Sequence, residues 1–345
     1  MTQGSRLRLS IVDVSPIMPG QTRHDAFNNS IALAQHAERL GYTRFWVAEH
    51  HGGRIGAGRA PEVLIAALGA HTKKIRLGSG AVLLNHYSPY KVAELFCTLN
   101  ELYPGRIDLG VGRATAGKVL DLALQQDRTR IVRGDSDEQL SELVAWLDDA
   151  FPPDHPFARQ PLRTIDSLPE LHVLGSSPWS ARAAGRRGLR YVYGAFLNHM
   201  DTPAIVDAYR SNFRPYGGPS GIAGPQVILA VHVVCAETEE EARRQLAPVH
   251  VMYRNLFHGD IDTPLLTPDE AVAELGGLPK LQKYIPGSRI PPKIMGGTPA
   301  RVRLQLESLA KDLGLQEIMI QDVMTDQAAR LRSYELIAEA MEISA

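Results

Sequence analysis

The sequence predicts an α/β fold, a (β/α)8 (TIM) barrel with an insertion before its last strand. Three observations carry this. Strand-like and amphipathic helical runs alternate along the whole chain, eight strand-like runs can be counted, and no change of composition divides the 345 residues. Alternation of this kind builds a parallel sheet with right-handed crossovers. Eight such units favour closure into a barrel over an open doubly wound sheet. The chain therefore reads as a single domain over 1–345.

The elements follow in order. The first strand, LRLSIVDVS (7–15), ends in a Ser-Pro turn. In HDAFNNSIALAQHAERLGY (24–42), Ile31, Ala34, Ala37 and Leu40 recur at helical spacing, and Gly41 is a natural stop. RFWVAE (44–49) is the second strand. APEVLIAALGAHT (60–72) is the second helix, with proline suited to its first turn. IRLGSGAVLL (75–84) reads as the third strand. PYKVAELFCTLNELYPG (89–105) is a helix opened by proline and closed by Pro-Gly, and RIDLGVGRA (106–114) is the fourth strand. Beyond it come a helix at 137–151, a Pro-rich excursion at 151–170, and the strand LHVLGSS (171–177) with its helix PWSARAAGRRG. LRYVYGAF (189–196), a helix at 201–215, the long strand PQVILAVHVVCAET (225–238) and a helix at 239–257 continue the pattern. Residues 259–293 are irregular and rich in Pro and Gly, with one short helix near 269–275. A helix (298–314), the eighth strand QEIMIQDV (316–323) and a last helix (326–342) complete the chain. The irregular segment reads as a loop over one barrel mouth.

Composition excludes several classes of function. Net charge is −1, with Lys+Arg 37 against Asp+Glu 38, so no nucleic-acid or anionic-membrane partner is indicated. Cys97 and Cys235 stand in separate apolar stretches and read as buried thiols in a reducing compartment. The N-terminus lacks the apolar core of a signal peptide, and no run approaches the ~18 apolar residues of a membrane span. These features predict a cytoplasmic protein.

In a parallel barrel the chemistry sits at the C-terminal ends of the strands. Strand two ends in Glu49, His50 and His51. These three are candidate metal ligands, a general base with its orienting partner, or packing. Adjacent histidines cannot share one helix face as an H-E-x-x-H pair does, although His86, His199, His232 and Asp322 at other strand ends leave a metal reading open. The other ends are small and weakly charged: Gly78, Gly80 and Ala81, then Gly110, Gly112 and Arg113, then Gly175, Ser176 and Ser177. Glycines there let a flat ligand approach the backbone. Arg113 and the GSS turn before a helix make a phosphate site, with an ordinary helix cap as the competing reading. GVGRATAG (110–117) has its third glycine displaced and lies on the fourth strand, so it is a weak dinucleotide signal.

Four stretches, GYTRFWVAEHHG, APEVLIAALGAHTKKIRLGSGAVLL, SPYKVAELFCTLNELYPGRIDLGVGRA and LHVLGSSPWSARAAGRRGL, resemble the luciferase-like flavin monooxygenases in order and spacing. The resemblance is to the single-chain branch and runs over nearly the whole chain. It implies a (β/α)8 barrel that binds reduced FMN, or in some branches a deazaflavin, at the C-terminal mouth. It further implies reaction with oxygen through a flavin 4a-hydroperoxide that oxygenates a substrate. The aromatics at the mouth, Tyr87, Tyr90, Trp179 and Phe196, suit a small hydrophobic or aromatic organic substrate, with wall packing as the competing reading. His50 matches the family's strand-two histidine, which handles the peroxyflavin proton, and Glu49 is placed to orient it or to pair with a buried arginine. Gly80 and Ala81 match the strand-three bulge, often a non-proline cis peptide, against the isoalloxazine. Arg113 matches the phosphate-binding arginine, and Gly175, Ser176 and Ser177 match the phosphate turn. The resemblance also implies a separate flavin reductase as supplier of reduced FMN, a homodimer paired through helices near strands two and three, and a mobile loop at 259–293. Gly112 replaces a cysteine that lies near the flavin in bacterial luciferase, so light emission is not implied. A deazaflavin-dependent dehydrogenase of the same superfamily, and a flavin-binding protein without turnover, are the alternatives.

Overall fold

The computed structural model describes residues 6–124, 136–158, 160, 162, 167–260 and 262–344. Parts of the Pro-rich excursion (159, 161, 163–166) and residue 261 of the expected loop lie outside the described residues. In chain order the elements are β1 (Arg8–Asp13), α1 (Arg23–Leu40), β2 (Arg44–Val47), α2 (Pro61–His71), β3 (Arg76–Ser79), β4 (Val82–Leu83), α3 (Pro89–Leu102) and β5 (Ile107–Gly112). They continue with α4 (Lys118–Leu124), α5 (Ser136–Asp148), β6 (Glu170–Gly175), α6 (Pro178–Arg186), β7 (Arg190–Gly194), α7 (Thr202–Asn212), β8 (Val227–Cys235) and α8 (Glu239–Phe257). The last are α9 (Pro268–Leu275), β9 (Met295–Gly297), α10 (Pro299–Leu313), β10 (Glu317–Gln321) and α11 (Gln327–Ala340). No helix among the described residues is long and apolar enough to cross a membrane.

The strands pair in parallel in the order β10-β1-β2-β3-β5-β6-β7-β8, and β8 pairs with β10 to close the ring. The expected barrel is present. One apolar layer, with Leu9, Ile11, Phe45, Leu77, Leu109 and Leu229, joins the strands to the surrounding helices. The alternate strand residues Val12, Trp46, Val192, Ile228, Ala230 and Met319 form a separate cluster inside the ring. Trp46 fills the space opposite glycine: a Cβ on Gly78 would stand 2.7 Å from the indole nitrogen. That nitrogen donates to Asp108 Oδ2 at 2.9 Å.

Charge is buried at both ends of the ring. At the strands' N-terminal end, Arg44 donates to Asp108 (2.7 Å), Glu170 (3.1 Å) and Glu317 (3.0 Å), while Arg76 pairs with Asp108 at 2.6 Å. At the other end, Arg330 of α11 is fully buried and donates to Asp322 (2.8 Å) and to Asp13 (2.8 Å), tying β10 to β1.

The third strand is divided where the resemblance implies a bulge: β3 stops at Ser79, and the chain resumes in β4 after the Gly80–Ala81 peptide, which is cis. The insertion departs from the sequence reading, because it begins earlier than the irregular segment. β8 runs past the ring to Cys235, and its last residues, Val233–Cys235, pair with β9. The second half of α8 then packs over the mouth, where Met252 and Tyr253 join Val14, Ala48, Val323 and Leu265. Residues 278–291 are strapped to outer helices. Arg243 holds the carbonyls of Leu278 and Pro279, Tyr284 donates to Asp312 at 2.6 Å, and Arg289 pairs with Asp207 at 2.6 Å.

Candidate active site

The candidate residues gather at the C-terminal mouth because parallel register sets their strand ends side by side. β2 delivers the Glu-His-His turn beside the broken third strand, and β5 and β6 deliver Arg113 and the GSS turn.

Glu49 is buried, and its bonds go elsewhere than to His50. Oε1 accepts from Tyr87 Oη at 2.7 Å and lies 2.6 Å from His51 Nε2. Oε2 accepts from the backbone N–H of Leu83 at 2.9 Å. Its direct tie is therefore to the second histidine and to β4, not to a buried arginine. His50 is exposed to solvent at the strand end. The protein crowded around it still lowers its pKa below the ordinary imidazole value by desolvation; Glu49 opposes the shift and His51 adds to it. A neutral ring at neutral pH is a proton acceptor.

Along the next strands glycine is required because the chain packs closely on itself. A Cβ on Gly110 would meet the Ser79 carbonyl at 2.0 Å, and one on Gly112 would meet Ala81 Cβ at 3.2 Å. A Cβ on Gly175 would meet Ser180 Oγ at 2.3 Å. Arg113 is exposed, and its guanidinium carbon lies 5.0 Å from the centroid of Trp179 in the first turn of α6. No carboxylate among the described residues pairs with it. Ser177 caps α6, its Oγ accepting from Ser180 N at 3.4 Å, so the cap reading holds for this serine. The hydroxyl of Ser176 has no partner among the described residues. Arg113, Trp179 and the start of α6 thus form one cationic corner.

Sequence reasoning missed Tyr87 as a partner of Glu49 and Trp46 as the residue beneath the mouth. The alternation Ile228, Ala230, His232 was the available signal for a histidine on the inner face of β8. His232 is buried beside Tyr253, neither ring nitrogen has a hydrogen-bond partner among the described residues, and burial lowers its pKa to about 4. Asp322, named beside it as a metal ligand, is engaged by Arg330, Tyr334 and the N–H of Met324. Asp108, Glu170 and His172 lie close enough together to share an ion. They sit at the far end of the barrel, among Arg44, Arg76 and Arg190.

The family model for luciferase-like monooxygenases matches residues 7–317. The chain belongs to this family. The solved structure of apo-MsnO8 is 41% identical with a TM-score of 0.87, covering 99% of each chain. The N-acetyl-S-alkylcysteine monooxygenase of Bacillus subtilis (strain 168) is 36% identical over 344 residues, 97% of this chain and 98% of that one. The oxygenating constituent of 3,6-diketocamphane monooxygenase from Pseudomonas putida, solved with FMN, is 21% identical with a TM-score of 0.69, covering 98% of both chains. That last likeness is one of fold. As a luciferase-like monooxygenase the chain is an oxidoreductase, and the barrel inferred from alternation is the barrel of its family.

Proposed function

We propose that this luciferase-like monooxygenase binds reduced FMN in its mouth and uses oxygen to oxygenate a small hydrophobic or aromatic organic substrate. One observation carries the reading. At the mouth the cis Gly80–Ala81 peptide breaks the third strand, and on the next strands Arg113, with no carboxylate partner among the described residues, stands against Trp179 at the start of α6. The break at Gly80–Ala81 matches the bulge that the family sets against its flat ring system, and Arg113 with the first turn of α6 suits a phosphate. Reduced flavin, when bound, supplies the oxygen activation. The chain's own residues do the rest. Ala81, Ser176 and Ser177 line the cradle with the glycines. His50, held neutral, accepts or returns a proton at the mouth. Glu49 fixes His51, Tyr87 and the end of β4, so it acts as a positioning residue for the wall. Tyr253 and Leu265 help exclude water.

The same reading includes a cytoplasmic homodimer supplied with reduced FMN by a separate reductase. It is tested by titrating the chain with oxidised and reduced FMN, riboflavin and deazaflavin in parallel, then following oxygen uptake. FMN binding tighter than riboflavin, with substrate-dependent product, is the expected result. N-acetyl-S-alkylcysteines, after the Bacillus relative, are the first substrates to offer. Preference for deazaflavin would move the chain to the dehydrogenases of the superfamily, and oxygen uptake without product from any acceptor would favour a flavin-binding protein.

A further inference from the structure

A cavity of about 460 Å³ opens at the rim of the mouth, away from the cationic corner. Its walls are the loop after β1, the loop after β2 at Arg54, and the insertion at Pro264 and Leu265. β1 and β6 stand half a turn apart in the ring, so this cavity is not the phosphate cradle. Ile17, Met18, Pro19, Pro264 and Leu265 make most of the wall apolar. Two cations face it, Arg23 and Arg54, and neither pairs with a carboxylate among the described residues. Asp25, the acid nearest Arg23 in sequence, is turned back onto Thr22, accepting from its N–H at 2.8 Å and its hydroxyl at 2.7 Å.

The loop that carries Arg54 begins at His50. Gly52 (φ +71°) and Gly53 (φ +61°) reverse the chain between them, a conformation glycine adopts without penalty. Beyond the turn the loop is pinned to the β1 loop, Ile17 N donating to Ile55 O at 2.8 Å and Ala57 N to Ser15 O at 2.9 Å. Arg54 is thus held on a braced arch whose other end presents the histidine.

We propose that this cavity binds the acid end of the substrate, which is a small organic acid with an apolar body. The guanidinium of Arg54 takes the carboxylate through a two-pronged hydrogen bond, Arg23 adds a second positive charge, and the apolar wall takes the adjoining carbons. That the ligand is the substrate rests on the monooxygenase reading. The acid site itself does not.

The test uses the full chain and a matched pair of probes, 4-phenylbutanoate and 4-phenylbutanamide, titrated calorimetrically with and without FMN. The acid is expected to bind about tenfold or more tightly than the amide, the difference a charge-assisted bond makes, and added salt should weaken the acid alone. Arg54→Met should bring the acid to the level of the amide, while Arg54→Lys keeps part of the preference. Leu265→Trp, which fills the cavity, should remove both probes. Thermal melts of each variant read folding independently. Absence of acid binding, equal binding of acid and amide, or undiminished acid binding by a folded Arg54→Met protein overturns the proposal. FMN titrations on the same samples read the flavin proposal separately. A chain that binds the acid but not FMN keeps the acid site and loses the monooxygenase reading.

Discussion

Glu49, His50 and His51 are adjacent in sequence but do different work, and single substitutions should separate them. Glu49→Ala leaves the Leu83 N–H and the Tyr87 hydroxyl without their buried acceptor. Stranding two such groups should cost roughly 2–4 kcal/mol, read as a lower urea midpoint. The His50 side chain makes no hydrogen bond among the described residues, so His50→Ala should change stability by about 0.5 kcal/mol or less. Its effect should appear instead in catalysis, as less product per oxygen consumed; unchanged coupling would remove His50 from the proton path. Arg113→Ala should weaken FMN by roughly 1.5–3 kcal/mol while sparing riboflavin, because only the phosphate contact is lost. If wild-type protein binds riboflavin and FMN equally, Arg113 is not the anchor. The acid and both histidines were legible from the rule that barrel chemistry lies at strand ends. Their pairing was not, because Tyr87 and Leu83 come to Glu49 through the break in the third strand.

The alternating strands and helices were legible because periodicity is local, a matter of which residues alternate faces over a few turns. β4 and β9 were not, since they hold only two and three residues and exist through pairing with β5 and β8. The insertion shows the same limit. Its lack of pattern was visible, but its anchors Asp207, Arg243, Gln305 and Asp312 are scattered along other helices. The anchored half and the mouth half should behave differently. We propose that mobility within 259–293 is concentrated before α9, where Gly259 (φ +79°) follows α8 and, among the described residues, Leu265 packs against the mouth. A protease of broad specificity should cut this stretch first, well before 278–291, and more slowly once FMN is bound. Shortening it should raise hydrogen peroxide release relative to product while FMN affinity holds, as water enters the mouth. Equal cutting rates with and without flavin, together with unchanged peroxide release, would leave the stretch a fixed cap.

At the scale of the whole molecule, ionisable groups are buried at both ends of the barrel, and this sets how the fold responds to acid. Burial alone would raise the carboxyls of Asp108, Glu170 and Asp322, but Arg44 and Arg76 at one end and Arg330 at the other outweigh it and hold all three below the usual carboxylate range. For Glu170 the first of the opposing influences is His172, whose Nε2 lies 3.6 Å from the carboxylate. A carboxyl whose folded pKa is depressed contributes stability that is present above its unfolded pKa, near 4, and lost as pH falls through the folded value. The histidines act earlier. Burial holds His172 below the ordinary imidazole value and lowers His232 to about 4. The unfolded chain therefore takes up those protons first, beginning near pH 6.5, and the folded state loses ground at about 1.4 kcal/mol per pH unit for each fully titrating histidine. The urea midpoint should fall in two stages, a first limb from about pH 6.5 to 4 and a steeper one below as the ion pairs dissolve. His232→Gln should shallow the first limb and leave the second, because it removes one buried imidazole and keeps the arginine partners of all three carboxylates. A midpoint that stays level from pH 7 to 4.5 in the wild-type chain would mean that these imidazoles take up protons as readily in the fold as in water, and burial would not be what governs them.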